Sequence, residues 1–153
     1  MLTRFLVLAM AIGGCATMPQ DGGGDDGTGS GATGSPLPAD LVGQWGTAGL
    51  SAAISYEFSA DGQVVYAGKL DSSYSCTDTT EISYQGTVQL AGNVLTIQPT
   101  DGTVTDDYCG TVTTKPYTRS STMAYQIGTG DQGPVLTLTD QATGDVLVLP
   151  RED

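Results

Sequence analysis

From Ile54 to Leu149 the chain alternates apolar and polar residues with period two, and this restricts the fold more than any other feature. Ile54, Tyr56 and Phe58 alternate with Ser55, Glu57 and Ser59, and Asp61-Gly62, a hairpin-turn dipeptide, follows. Val64, Tyr66, Gly68 and Leu70 then alternate with Gln63, Val65, Ala67 and Lys69. In the cleanest run Ile82, Tyr84, Gly86, Val88 and Leu90 share one face, and Glu81, Ser83, Gln85, Thr87 and Gln89 the other. Gly92-Asn93 marks a turn, and residues 94–98 return. Residues 117–127, 135–139 and 146–149 read as the later strands; the hydroxyl-rich runs 111–114 and 120–122 read as exposed strand and loop. No window of helical length carries a 3.6-residue apolar stripe. The expectation is an all-β fold, an antiparallel up-and-down meander of about eight strands closed into a barrel. A β-sandwich is the alternative closure.

Charge narrows the function. Seventeen acidic residues against five basic ones give a formal charge of −12, and histidine is absent. Without His there is no Ser-His-Asp triad, no His general base and no His-ligated zinc. So acidic a chain is unsuited to nucleic acid, whose phosphates need Lys and Arg to displace counterions. Asp106 and Asp107 adjoin in sequence, but in extended chain they point to opposite sides and cannot converge on one bond. They read as solvated loop acids. A non-enzyme with no cofactor and no metal is expected.

The first residues, MLTRFLVLAMAIGGC, combine a basic Arg4 with an uncharged apolar run from Phe5 to Ile12. That run is too short to span a bilayer, which takes about 20 helical residues, and it matches a secretory signal. Ile12-Gly13-Gly14-Cys15 resembles the lipobox of bacterial lipoproteins. The resemblance implies cleavage after a signal peptide of residues 1–14 and acylation (palmitate-type chains) of Cys15. It also implies membrane anchoring in the cell envelope. In a Gram-negative host, Ala16 after the Cys resembles the default for outer-membrane sorting.

Setting Cys15 aside leaves Cys76 and Cys109, which permit a single intramolecular bridge in an oxidising compartment. No C-x-x-C spacing and no His favour a redox or metal pair instead. Residues 16–39 hold seven glycines, three prolines and three Asp but no Lys, Arg or aromatic residue, the composition of a disordered tether. Residues 15–39 are thus read as lipidated Cys plus tether and 40–153 as the folded domain. That domain carries −10 once Arg4, Asp21, Asp25 and Asp26 are set aside.

Leu41-Val42-Gly43-Gln44-Trp45, ahead of the first hairpin, resembles the G-x-W opening of lipocalins and bacterial lipocalin-like domains. Thr105-Asp106-Asp107-Tyr108 is similar to the lipocalin T-D-Y but has one Asp too many. The resemblance covers most of residues 41–151 as pattern rather than identity. It implies a closed barrel with Trp45 at the floor, covered by Arg151 from the last strand. Trp45, Tyr56, Phe58, Tyr66, Tyr84 and Tyr125 are the candidate ligand-lining residues, since apolar walls with a few hydroxyls suit a small-molecule site. The bland alternative is that these rings simply fill a small barrel. Two functions follow: a monomeric, membrane-anchored module that binds a small apolar or amphiphilic ligand, or an acidic module, inhibitor-like or scaffolding, for a basic protein.

Overall fold

A computed structural model describes residues 34–73 and 76–152. The signal, lipobox and most of the tether lie outside these residues, Cys15 among them. The described residues form nine antiparallel strands and no helix: β1 (Gly43–Ala48), β2 (Ala52–Phe58), β3 (Gln63–Ser73), β4 (Thr77–Ala91) and β5 (Val94–Tyr108). The others are β6 (Thr111–Pro116), β7 (Ser121–Gly130), β8 (Gly133–Asp140) and β9 (Val146–Glu152).

Eight of the strands close a barrel. Going round, β4, β3, β2, β1, β9, β8, β7 and β5 pair in turn, and β5 pairs back to β4. Consecutive strands are neighbours except where β6 intervenes. Ile97 to Val94 of β5 pair with residues 121–124 of β7, whereas Thr103 to Tyr108 pair with β6. β6 and β7 thus lie end to end along one side of β5. The sequence anticipated unbroken strand over 117–127; instead the chain leaves the ladder at 117–120. Pro99, which has no amide proton to donate, and a bulge that leaves Thr100 unpaired lie between the two segments of β5 that β6 and β7 pair with.

β1 is a second departure from the expectation, which began the strands at Ile54. Its inward positions are Gly43, Trp45 and Thr47, too few apolar residues to produce an alternating signal. Two register pairs, Gln44↔Glu152 and Trp45↔Arg151, join it to β9 and complete the circuit.

The inward faces of the strands make the core. Trp45, Phe58, Val64, Val88, Leu95, Ile97, Leu136, Leu138 and Leu149 are buried together, with Leu37 and Leu41 beneath them. The domain boundary accordingly moves from residue 40. Ser35 N–H donates to Val88 C=O at 2.8 Å and Leu37 N–H to Ala60 C=O at 3.1 Å, so residues 34–39 form a strap across the base rather than tether. Burying Leu37 supplies an apolar anchor for this strap. At the far end, Cys76 and Cys109 form a disulfide with their Cα atoms 5.4 Å apart, linking the β3–β4 connection to the β5–β6 turn.

A tyrosine-lined mouth as candidate functional site

Register places aromatic residues in one row of paired positions that runs obliquely from the base to the open end. Trp45 pairs with Tyr56, Tyr56 with Tyr66, and Tyr66 with Tyr84, so aromatic residues occupy successive paired positions on β1 to β4. On β5 the residue opposite Tyr84 is Gly102, and on its other side the N–H of Tyr117 donates to the Gly102 carbonyl at 2.9 Å. A Cβ at Gly102 would come within 2.5 Å of the Tyr84 Cβ and 2.8 Å of the Ser83 carbonyl. Because that position is bare, Tyr84 and Tyr117 lean over it and stack, with centroids 5.2 Å apart and planes 6° from parallel.

The contacts continue through Tyr66–Tyr84 (4.8 Å), Tyr56–Tyr66 (4.7 Å, tilted) and Tyr56–Phe58 (5.7 Å), all within the 4.5–7 Å range of favourable aromatic pairs. Phe58 belongs to the core below, and the tyrosines face the open end. Burial pushes the phenols of Tyr56, Tyr66 and Tyr84 above the usual tyrosine value, and neighbouring tyrosines add to the effect. They are neutral hydroxyl donors throughout the physiological range.

Above the rings is a cavity of about 230 Å³ lined by Tyr56, Tyr66, Tyr84 and Tyr117, with Arg119, Asp140 and Asp145 among its other residues. The β8–β9 turn holds the two carboxylates in place. Asp140 Oδ1 accepts the N–H groups of Ala142 (2.7 Å) and Thr143 (3.0 Å), which hold its carboxyl below the usual range. Asp145 accepts the Thr143 hydroxyl at 2.7 Å. The mouth therefore offers ring faces, phenol hydroxyls, one guanidinium and two carboxylates. That is the mixture of apolar wall and few polar groups by which proteins hold small molecules.

The six candidate ring residues divide. Tyr56, Tyr66 and Tyr84 line the mouth, and Trp45, Phe58 and Tyr125 do not. Trp45 is fully buried at the base, its indole N–H donating to Leu41 C=O at 2.8 Å. Phe58 is sealed under Tyr56. Tyr125 sits on β7 opposite Leu138, half-buried against the core. Arg151 lies over Trp45, its guanidinium carbon 5.3 Å from the ring centroid, and its Nη2 donates to Val42 C=O at 2.8 Å.

Sequence reasoning missed Tyr117, Arg119 and Asp140 as site residues. Tyr117 reaches the mouth through the break after β6 and the gap at Gly102, and neither leaves a periodic trace. Asp106 and Asp107 also need correcting, since they belong to β5 and not to a loop. Asp106 accepts the Thr80 hydroxyl at 2.9 Å, and Asp107 accepts the Gly110 N–H at 2.9 Å from the opposite face.

A larger groove, about 570 Å³, runs across the outward faces of β1 to β5. Ala48, Ala53 and Ala67 supply small side chains, Ser55 and Ser83 hydroxyls, and Lys69 pairs with Asp71 (3.7 Å) and Glu81 (3.6 Å) at its rim. It has no aromatic wall, and its one cation is engaged by two carboxylates. The mouth is the smaller space but the better-equipped one. Compared with protein-family models, curated proteins and solved structures, the chain matches none.

Proposed function

We propose that this chain is a lipid-anchored envelope protein, tethered through Cys15, whose barrel binds a small amphiphile at its mouth rather than catalysing a reaction. The observation that carries the reading is the run of stacked tyrosines ending in a cavity edged by Arg119, Asp140 and Asp145. Lower in the barrel, the leucines, valines and Trp45 fill the interior, so the ligand belongs above the rings. A ring-bearing or short-chain group would lie against Tyr117 and Tyr66, with its polar end between the guanidinium and the carboxylates. Anchoring at a membrane suits a protein that collects such molecules where they partition, and several acyl chains on one Cys make that anchoring stable.

Native mass spectrometry of the full-length chain, extracted in mild detergent and incubated with total membrane extract, tests the mouth. The expected result is a bound small molecule that Tyr117→Ala weakens at least about tenfold, the worth of one lost aromatic stack with its buried area. A barrel that is always empty, or a ligand retained equally by Tyr117→Ala and Tyr66→Ala, overturns the reading. Labelling with an alkyne fatty acid tests the anchor separately: Cys15→Ser should abolish incorporation, and labelling that persists would remove the anchor from the proposal.

A further inference from the structure

Barrel closure leaves β6 outside the circuit, bonded to β5 alone and exposed along its whole length. Its sequence, Thr-Val-Thr-Thr-Lys-Pro, is rich in β-branched residues, with only Lys115 and Pro116 of the types that usually blunt an edge. Antiparallel pairing decides which backbone groups are free. Tyr117 N–H bonds to Gly102, and the register pairs Lys115 with Val104, Thr113 with Asp106 and Thr111 with Tyr108. By alternation, the odd-numbered residues direct their N–H and C=O groups at β5. Val112 and Thr114 direct theirs outward, away from β5.

Two features prepare this edge. Cys109 and Gly110 both have positive φ (53° and 84°), the backbone of the two-residue hairpin turn whose twist matches flanking strands. The disulfide from Cys109 to Cys76 then holds that turn against the β3–β4 end of the sheet. A strand held in place before binding loses little entropy when a partner adds to it.

The side chains beside the edge carry a sign. On one face β5 presents Asp106, with Asp78 beyond it on β4. On the other face it presents Asp107, with Glu81 and Asp71 beyond. Lys115 and Lys69 are the cations among them, and Lys69 is already paired with Asp71 and Glu81. A second copy of this chain would bring the same carboxylates and a domain charge of −10 against its own, which opposes edge-to-edge dimerisation.

We infer that β6 is a docking edge for an extended, Lys- or Arg-rich segment of a partner protein, which adds as a further antiparallel strand beyond Val112 and Thr114. Main-chain bonds to those two residues supply the adhesion. Basic side chains on alternate faces reach Asp106 on one side and Asp107 on the other. The inference stands apart from the tyrosine mouth, and neither depends on the other.

The test titrates the ¹⁵N-labelled full-length chain with a ten-residue peptide of repeated Lys-Lys-Val-Val, which places lysines on both faces of an extended strand. The peptide should slow hydrogen exchange at the amides of Val112 and Thr114 selectively. Thr114→Pro removes one outward donor and no main-chain bond to β5, only the exposed hydroxyl contact of Thr114 with Thr105 at 3.0 Å, and edge strands tolerate proline there, so the barrel stays folded. This variant should lose binding at least tenfold. Asp106→Asn with Asp107→Asn keeps the acceptors for Thr80 and Gly110 but removes the charge, and should weaken binding roughly fivefold. Binding that Thr114→Pro leaves unchanged, or an Asp/Val peptide that binds equally well, overturns the inference. Protection of Val112 and Thr114 that rises with protein concentration and needs no peptide would assign the edge to a second copy, and overturns it too.

Discussion

Replacing Trp45 with Phe tests how the barrel is closed. The β1–β9 seam rests on two register pairs, and Trp45↔Arg151 is one of them. The indole is fully buried, donates to Leu41 C=O at 2.8 Å and lies under the Arg151 guanidinium. Phe keeps a ring but no donor, leaving a buried carbonyl short of its partner at a cost of about 1–3 kcal/mol. The smaller ring leaves roughly 40 Å³ unfilled, worth about 1 kcal/mol at 24 cal/mol per Å³. A weaker cation–π contact takes away a few tenths more. The expected destabilisation is about 3 kcal/mol, or a fall in Tm of roughly 10 °C for a domain of this size. Urea unfolding followed by far-UV circular dichroism measures it, and the m-value should not change. In a double-mutant cycle Arg151→Leu should couple to Trp45→Phe by about 0.5–1 kcal/mol, since the two share one contact. A Trp45→Phe cost below 1 kcal/mol, or strictly additive variants, would show that strand, indole and guanidinium do not close the barrel as a unit.

Two other outcomes follow from the covalent and titratable groups. Cys76 and Cys109 are 33 residues apart, and a loop of that length implies about 3.7 kcal/mol of chain-entropy stabilisation; Cys76→Ser/Cys109→Ser should lower the urea midpoint accordingly, and an unchanged midpoint would contradict it. Tyr56 and Tyr84 have phenols raised above the unfolded value near 10, so their contribution is complete below pH 10 and declines as pH rises past it. Each lowers stability by up to about 1.4 kcal/mol per pH unit there, because the unfolded chain releases the proton first. Absorbance at 295 nm should show these phenols ionising only as the far-UV signal is lost, and all seven tyrosines titrating together near pH 10 in the folded chain would refute it.

How legible each element was depended on whether its information was local. The run from Glu81 to Leu90 was readable because every inward position there is apolar or Gly and every outward one polar, even at Thr87, which is buried. β1 was not, because Gly43 and Thr47 flank Trp45 on its inward face and the strand that closes the seam with it, β9, comes from the other end of the chain. β6 has no inward apolar residue at all, and its turn uses a Cys where Asn or Gly is the usual occupant of positive φ, so no turn rule marks it. Within the mouth, Tyr56, Tyr66 and Tyr84 were visible as alternating positions. Tyr117, Arg119 and Asp140 were not, since they join the others only through the bulge at Thr100, the bare Gly102 and the turn after β8.

The same register argument limits what a lipocalin-like likeness can mean for this chain. A one-residue slip of β3 against β2 would turn Val65 inward and Tyr66 outward, together with Val64 of the base, so the tyrosine row and the hydrophobic base are set together. Below the tyrosines the inward residues Leu, Val, Ile, Phe and Trp are buried in one cluster, and Leu37 and Leu41 lie at the end. Enlarging the interior would mean removing residues that hold the seam. The proposed small-molecule site is therefore placed at the mouth, where burial is partial and phenol hydroxyls still reach water. The proposed docking edge is β6, where the barrel's own closure leaves a strand unpaired on one side. Both candidate sites lie where the sheet departs from an ideal eight-stranded circuit, and the bulge in β5 at Thr100 underlies both. It separates β6 from β7, which frees the edge, and it frees residues 117–120 to carry Tyr117 and Arg119 into the mouth. Deleting Thr100 to restore regular pairing should accordingly disturb both sites at once while leaving the base, and the Trp45–Arg151 contact, intact.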